Sequence, residues 1–294
     1  MINSLISAII TSSLKDKPRY INAGGRLLDL SSPKVMGILN VTPDSFYSGS
    51  RVMAEKEIVK RAIQMSEEGA DIIDVGGYSS RPYADQVPAE EEKGRVLQAI
   101  KIIKRELPGI IISVDTFRSE IAREAVSVCG ADMINDISAG NMDEEMFNLI
   151  EELNVPYVLM HMQGTPVTMQ ENPFYEDVVA DILKQMSHKI VRLKSAGVKD
   201  VIFDPGFGFG KTIKHNFELL KRLNEFEITD LPLMVGVSRK SMIWKTLSIT
   251  PGEALNGSVV LNTVALLNGA DILRVHDVKE AVEAVKLVIE LKKS

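Results

Sequence analysis

Short apolar runs rich in β-branched residues recur along the chain: Val35 to Val41, Ala70 to Val75, Ile110 to Val114, Met133 to Ile137, Pro156 to Met160, Val201 to Phe203, Pro232 to Val237 and Asp271 to Val275. Each is about the length of a strand, and the stretches between them carry apolar residues at the three- and four-residue spacing of an amphipathic helix. The clearest helical stretches are residues 89–106 and 176–197; both start acidic and end basic, and the second closes on Gly197. Strands alternating with helices predict βαβ units and a parallel sheet, so eight units predict an α/β fold built as a single (β/α)8 TIM barrel. A doubly wound open sheet shows the same alternation. Polar residues at the ends of both the first and the last strand fit a closed ring better.

Two smaller patterns refine the picture. Gly69-Ala70-Asp71, Gly130-Ala131-Asp132 and Gly269-Ala270-Asp271 each end a helix and open a strand, which assigns the Gly to a left-handed helix terminus and the Asp to the structural rim of the barrel. Ahead of the first strand, residues 20–30 hold two short apolar stretches about Ala23-Gly24-Gly25, the pattern of a short N-terminal hairpin able to plug the barrel floor. The domain reading is therefore an extension over residues 1–17 and a barrel over residues 18–294.

Composition narrows the partners. The 294 residues are 45% hydrophobic and 25% charged, enough for one large core. A formal net charge of -6 leaves no basic footprint for nucleic acid or an anionic membrane, so small-molecule substrates are the expected partners. The single Cys129 rules out a disulfide or thiolate cluster within the chain. Residues 1–14 lack a basic leader and the length to span a bilayer, which points to a cytoplasmic protein.

Nearly every predicted strand stops on a residue that can do chemistry: Asn40, Asp74, Asp115, Asn135, His161, Asp204, Lys240, then Arg274 and His276. Parallel barrel strands all end on one rim, where such barrels keep their active sites, so a scattered list becomes one candidate site. Asp115, Asp204 and the amide of Asn135 make an acceptor-rich patch suited to a heterocycle presenting amino and ring N–H donors, and Lys240 can donate to that ring's carbonyl or nitrogen. Arg274 and His276 lie two residues apart on the last strand and so point the same way, toward an anion such as phosphate, with Arg81 as a second clamp. Asn40 supplies an oxygen near that anion, suited to Mg²⁺, which binds few protein ligands and keeps phosphate and water. Gly206 to Thr212 resembles a phosphate loop but misses both the Walker and the dinucleotide patterns by one residue, so its glycines read as letting backbone approach a flat ligand or as forming the turn at the strand end. The histidines show neither HExxH nor Cys/His zinc spacing; His188 reads as solvated and His215 as a helix cap. Met160 and Met162 read as core, with a sulfur-on-ring contact as a second role.

These segments carry a resemblance. Gly37-Ile38-Leu39-Asn40-Val41-Thr42-Pro43-Asp44-Ser45-Phe46, Ser113-Val114-Asp115-Thr116, Ile134-Asn135-Asp136, Asp204-Pro205-Gly206-Phe207-Gly208-Phe209, Ser238-Arg239-Lys240 and Arg274-Val275-His276-Asp277 closely resemble, in order, the motifs of bacterial dihydropteroate synthases. The resemblance implies a barrel that joins 6-hydroxymethyl-7,8-dihydropterin diphosphate to 4-aminobenzoate for folate synthesis, with diphosphate leaving before the arylamine arrives. It implies that Asp115, Asn135, Asp204 and Lys240 hold the pterin, with Met160 and Phe209 along its faces. It further implies that Asn40, Arg81, Arg274 and His276 take the diphosphate, Asn40 its Mg²⁺, and that Thr42, Pro43, Phe46, Ser80, Arg81 and Ser241 build the aminobenzoate side. A homodimer and sulfonamide sensitivity are implied as well. Tyr78, Ser80 and Tyr83 depart from the family's usual Glu, Thr and small residue, which bears on the second substrate. Two rivals differ in kind: corrinoid methyl transfer on a similar barrel, which needs no Arg274 and His276 pair, and a noncatalytic pterin-binding homologue, in which those residues would be eroded. Asp74 and His161 receive no direct role and read as supporting or structural.

Overall fold

The computed structural model describes residues 20–41, 51–78 and 87–294. The expected extension over residues 1–17 lies outside them. The first elements are β1 (Tyr20–Ala23) and β2 (Arg26–Asp29), an antiparallel pair joined by Gly24 and Gly25 at φ 59° and 81°. Two consecutive left-handed residues make the turn whose twist matches a hairpin. At Gly24 a Cβ would stand 2.1 Å from Asp132 Oδ1, so only glycine fits there.

Eight strands follow: β3 (Lys34–Asn40), β4 (Ile72–Gly76), β5 (Ile111–Asp115), β6 (Met133–Asp136), β7 (Tyr157–Met160), β8 (Val201–Asp204), β9 (Met234–Val235) and β10 (Ile272–Val275). Neighbours pair in parallel in the order β8-β7-β6-β5-β4-β3-β10-β9. A bridge from Phe203 to Leu233, with Phe203 N–H donating to Pro232 O at 2.8 Å, joins β8 to β9 and completes the ring. The expected strand over 232–237 shrinks to two paired residues, because Pro232 has no N–H to give and the chain turns at left-handed Arg239, φ 55°.

Outside the ring run α1 (Arg51–Glu67), α2 (Ala89–Glu106), α3 (Ser119–Ser127), α4 (Met146–Leu153), α5 (Val178–Ser195), α6 (Ile213–Lys221), α7 (Ser241–Leu247), α8 (Leu255–Leu267) and α9 (Val278–Lys293). The two helices read most clearly from sequence are α2 and α5. Asp177 caps α5 by accepting from the N–H groups of Val179 and Ala180, both at 3.0 Å, and Gly197 follows its end at φ 87°. The Gly-Ala-Asp repeats do what their pattern predicts. Gly69, Gly130 and Gly269 are left-handed, and Asp71, Asp132 and Asp271 each accept, at 2.8 Å, the N–H that opens a neighbouring strand: Val35, Ile112 and Leu233.

Alternation along each strand sorts the barrel interior into layers. The lowest consists of Met36, Ile72, Ile111, Met133, Val158, Ile202, Met234 and Ile272, one from each strand, packed against Ile21, Ala23, Leu28 and Leu30 of the hairpin. The hairpin therefore plugs the floor, as its sequence suggests. Every one of these residues is at most 7% exposed, and truncating such a side chain to Ala costs about 2–5 kcal/mol. This apolar plug fixes the ring from below and leaves its upper half for chemistry.

Candidate active site

Two residues beyond the floor lie the next inward positions: Ile38, Asp74, Ser113, Asn135, Met160, Asp204 and Arg274, with Gly236, just past β9, contributing no side chain. The layer changes from wholly apolar to mostly polar within one dipeptide step. Its centre is Asp74, with no exposed surface, whose Oδ2 accepts from Asn135 Nδ2 at 2.9 Å and from Arg274 Nε at 2.6 Å. Arg274 reaches one layer higher with Nη2 and meets Asp115 Oδ2 at 2.5 Å. The acidic and basic halves read from sequence are therefore tied together by one guanidinium: charge separation along the sequence does not fix which oppositely charged groups meet across a ring.

Burial opposes the Arg274 charge, but Asp74 and Asp115 outweigh it and the guanidinium is held protonated more firmly than in water. Asp115 is pushed up to about 7, by burial first, with Arg274 pulling the other way. Asp204 is also raised by burial, against the pull of Lys240. Burial lowers Lys240 to about 8. Asp115 and Lys240 thus sit within reach of a proton change near neutrality, as groups at functional sites often do.

Asp204 Oδ1 accepts the N–H of Gly206 at 2.7 Å, which starts the loop over the site. Lys240, next to half-buried Ser241 at the start of α7, donates to the Phe207 carbonyl and stands 4.7 Å from the centre of the Phe209 ring. Asn135 Oδ1 is buried with no protein partner, an acceptor aimed at whatever fills the site. An apolar wall faces these groups: Phe117, Ile137, Met160, Met162 and Met169, with Tyr78, Met142 and Phe209 packed on them. Tyr78 meets Phe117 edge to face with ring centres 5.3 Å apart. The arrangement is a slot with thioether and aromatic faces and a polar far edge, the chemistry a flat, hydrogen-bonding ring requires.

On the opposite side, Asn40 lies beside Asp115. A Cβ placed on Gly76 would stand 3.5 Å from Asn40 Oδ1 and 3.3 Å from Asp115 Cβ, so Gly76 keeps the space between them open. His276 is oriented by Ser238, whose Oγ lies 3.1 Å from its Nδ1 and accepts its backbone N–H at 3.2 Å. Among the described residues no three His, Cys, Asp or Glu side chains converge as a metal cage.

The structure brings Asn40, Asp115, Asn135, Met160, Asp204, Phe209, Lys240, Ser241, Arg274 and His276 to one end of the barrel. Thr42, Pro43, Phe46, Ser80 and Arg81 lie outside the described residues. His161 does not join them. It follows inward-facing Met160 and so points outward, where Nε2 meets Gln185 at 3.1 Å and Nδ1 meets Lys211 at 3.0 Å. Asp74 is a supporting residue, as the sequence reading has it, whereas the supporting roles of Ser238 and Lys211 are ones that motif reading passes over. For Asp74 a signal existed, since it shares the parity of the inward Ile72.

The sequence matches the model of a family described as "Pterin binding enzyme" over residues 36–276. It is 48% identical to the dihydropteroate synthase of Escherichia coli strain K12 over 90% of this chain and 94% of that protein. It is 42% identical to the dihydropteroate synthase of Haemophilus influenzae, over 90% of this chain and 96% of that one. Among solved structures, the Yersinia pestis dihydropteroate synthase with a sulfonamide drug complex superposes at TM-score 0.87 and 40% identity, covering 94% of this chain and 100% of the other. The Xanthomonas albilineans dihydropteroate synthase in complex with 7,8-dihydropteroate superposes at TM-score 0.84 and 36% identity, again over 94% and 100%.

Proposed function

This chain belongs to the pterin binding enzyme family, and from that premise we infer that it catalyses the dihydropteroate synthase reaction, a transfer of the dihydropterin-6-ylmethyl group onto an arylamine. The substrates are 6-hydroxymethyl-7,8-dihydropterin diphosphate and 4-aminobenzoate; the products are 7,8-dihydropteroate and diphosphate. The observation that carries the reading is the slot itself, where Asn135 Oδ1 and the carboxylates of Asp115 and Asp204 edge an apolar wall containing Met160 and Phe209.

In this reading Asp204 and Asn135 accept from the amino and ring N–H edge of the pterin, Lys240 donates to its carbonyl side, and Met160 and Phe209 flank its faces. The bond from the methylene carbon to the diphosphate oxygen breaks, with its electron pair leaving on diphosphate. Arg274 and His276 stabilise that leaving anion, while Asp115 and Asp74 make the site tolerant of the cationic methylene left behind. The arylamine nitrogen then bonds to that carbon and loses a proton. No enzyme nucleophile is needed.

Mg²⁺ fits the donor set: Asn40 offers a neutral oxygen beside Asp115, and an ion that keeps phosphate and water ligands needs no full protein cage. When bound it would neutralise diphosphate charge. For the aminobenzoate side we retain Thr42, Pro43, Phe46, Ser80, Arg81 and Ser241. We place the protein in the cytoplasm, in keeping with the absence, among the described residues, of any helix long and apolar enough to cross a membrane. A homodimer is supported by Val260 and Leu267 on α8 and Leu287 and Leu291 on α9, exposed apolar residues on two helices that pack together.

Incubation of the purified protein with the pterin diphosphate, labelled 4-aminobenzoate and Mg²⁺ tests the reading. Labelled dihydropteroate is the expected product. Pterin binding without labelled product would instead identify a noncatalytic binding protein.

A further inference from the structure

The loop from Gly206 to Gly210 has every backbone carbonyl held by a side chain. Lys211 Nζ donates to Gly206 O at 2.9 Å and Phe209 O at 3.0 Å; Lys240 takes Phe207 O, Gln170 Nε2 takes Gly208 O at 2.8 Å, and the Tyr175 hydroxyl takes Gly210 O at 2.9 Å. Two N–H groups are held as well, Gly206 by Asp204 and Gly208 by Asn216 Oδ1 at 2.6 Å. These bonds tie the course of the loop to the residues around it. Its glycines confirm how tightly it is set: a Cβ on Gly206 would stand 1.8 Å from His161 O, and one on Gly210 2.6 Å from Gln163 O.

Lys211 is the centre of this set and has no place in the chemistry above. It is 3% exposed, unusual for a lysine, and its third partner is His161 Nδ1 at 3.0 Å. Burial and then Lys211 itself push the His161 imidazole down to about 3, so the ring is neutral across the working range and Nδ1 accepts while Nε2–H donates to Gln185 Oε1. Burial pushes Lys211 well below the usual lysine range, against the pull of Asp204, and its amino group sits among four acceptors: Gly206 O, Phe209 O, His161 Nδ1 and, at 3.4 Å, His161 O. Two of the four belong to the loop, and the two from His161 anchor the amino group to β7 through the residue after Met160.

We propose that Lys211, oriented by His161 and Gln185, is a positioning residue for the heterocycle: by holding the Gly206 and Phe209 carbonyls it sets the Phe209 ring into the apolar wall that Met160 belongs to. The inference rests on the reading that the pterin lies along Phe209. It separates Lys211 from a general stabilising role, because its effect passes through one ring and reaches one substrate.

Steady-state kinetics on Lys211→Met, Phe209→Ala and the double variant test it. The expected result is a rise of about tenfold in KM for the pterin diphosphate with KM for 4-aminobenzoate within about twofold, and a double variant little worse than the worse single one. A fall in kcat with both KM values unchanged, or losses that multiply in the double variant, would overturn the proposal. Should Lys211→Met not fold, half-buried Gln170→Leu removes only the Gly208 anchor and is expected to raise the pterin KM selectively by about threefold. An unchanged KM there also overturns it. A wild-type protein that forms no dihydropteroate in the same assay defeats the underlying reading instead.

Discussion

Replacing Asp204 by asparagine sets a trap that the amide cannot escape. One carboxylate oxygen of Asp204 already accepts the Gly206 N–H at 2.7 Å, and the other is the one left for a ring N–H. Asparagine keeps the shape but has a single acceptor. If its oxygen faces Gly206, its NH₂ confronts the donor edge of the pterin; if it turns over, two N–H groups meet at Gly206. Losing a hydrogen bond to a charged acceptor and leaving a buried donor unmet together cost about 2–3 kcal/mol. In the first orientation that is about 30- to 150-fold in dissociation constant for the diphosphate-free pterin, measured by calorimetry. In the second the affinity is spared and the ligand-free protein melts about 4–6 °C lower, at about 2 °C per kcal/mol for a chain of this size. The two readings must sum to the penalty. If affinity stays within about threefold and the melting temperature within about a degree, Asp204 does not accept from the heterocycle.

Three further outcomes follow from the same geometry. His276→Ala should lower kcat/KM for the pterin diphosphate by about a hundredfold while affinity for the diphosphate-free pterin falls less than about threefold, compared by kinetics and calorimetry; equal losses would show that His276 does not read the anion. Because burial lowers Lys240 to about 8, its ammonium is lost as pH rises through that value, and because burial raises Asp115 to about 7, its carboxylate is lost as pH falls through that one. A plot of kcat/KM for the pterin substrate against pH should therefore peak between those limbs, and Lys240→Gln should abolish the alkaline one. A profile flat to pH 9 contradicts the assignment, whose limbs are expected within about a unit of these values. Removing divalent cations with a chelator should stop turnover yet leave affinity for the diphosphate-free pterin within about twofold, since in the proposed arrangement an ion at Asn40 would face only the leaving group.

Much of this is visible in the sequence because barrel strands obey a period of two. Once Met36, Ile72 and Ile272 are recognised as floor, counting on by two arrives at Ile38, Asp74 and Arg274, and by four at Asn40, Gly76 and His276. The same count excludes His161. What parity cannot supply is the partner across the ring: that Arg274 bridges Asp74 and Asp115, or that Ser238 orients His276, depends on strand stagger and side-chain reach. Lys211 was hidden for a different reason. Its role comes from a loop folding back over it, and a lysine next to a run of glycines carries no mark of burial in its neighbours.

The plugged floor also governs traffic. With Ile21, Ala23, Leu28 and Leu30 packed across the lower end, a ligand reaches the polar layer from the upper rim. A ligand seated against Asn135 and Asp204 reaches deeper than anything bound at the rim, so an early arrival at the mouth stands in its way. On the proposed assignment the bicyclic partner is therefore expected to enter first and the monocyclic one second. Joined together they would leave by the path both came in, once the diphosphate had vacated the rim beside Asn40 and His276. A blind vessel of this kind would set the order of its guests by depth alone.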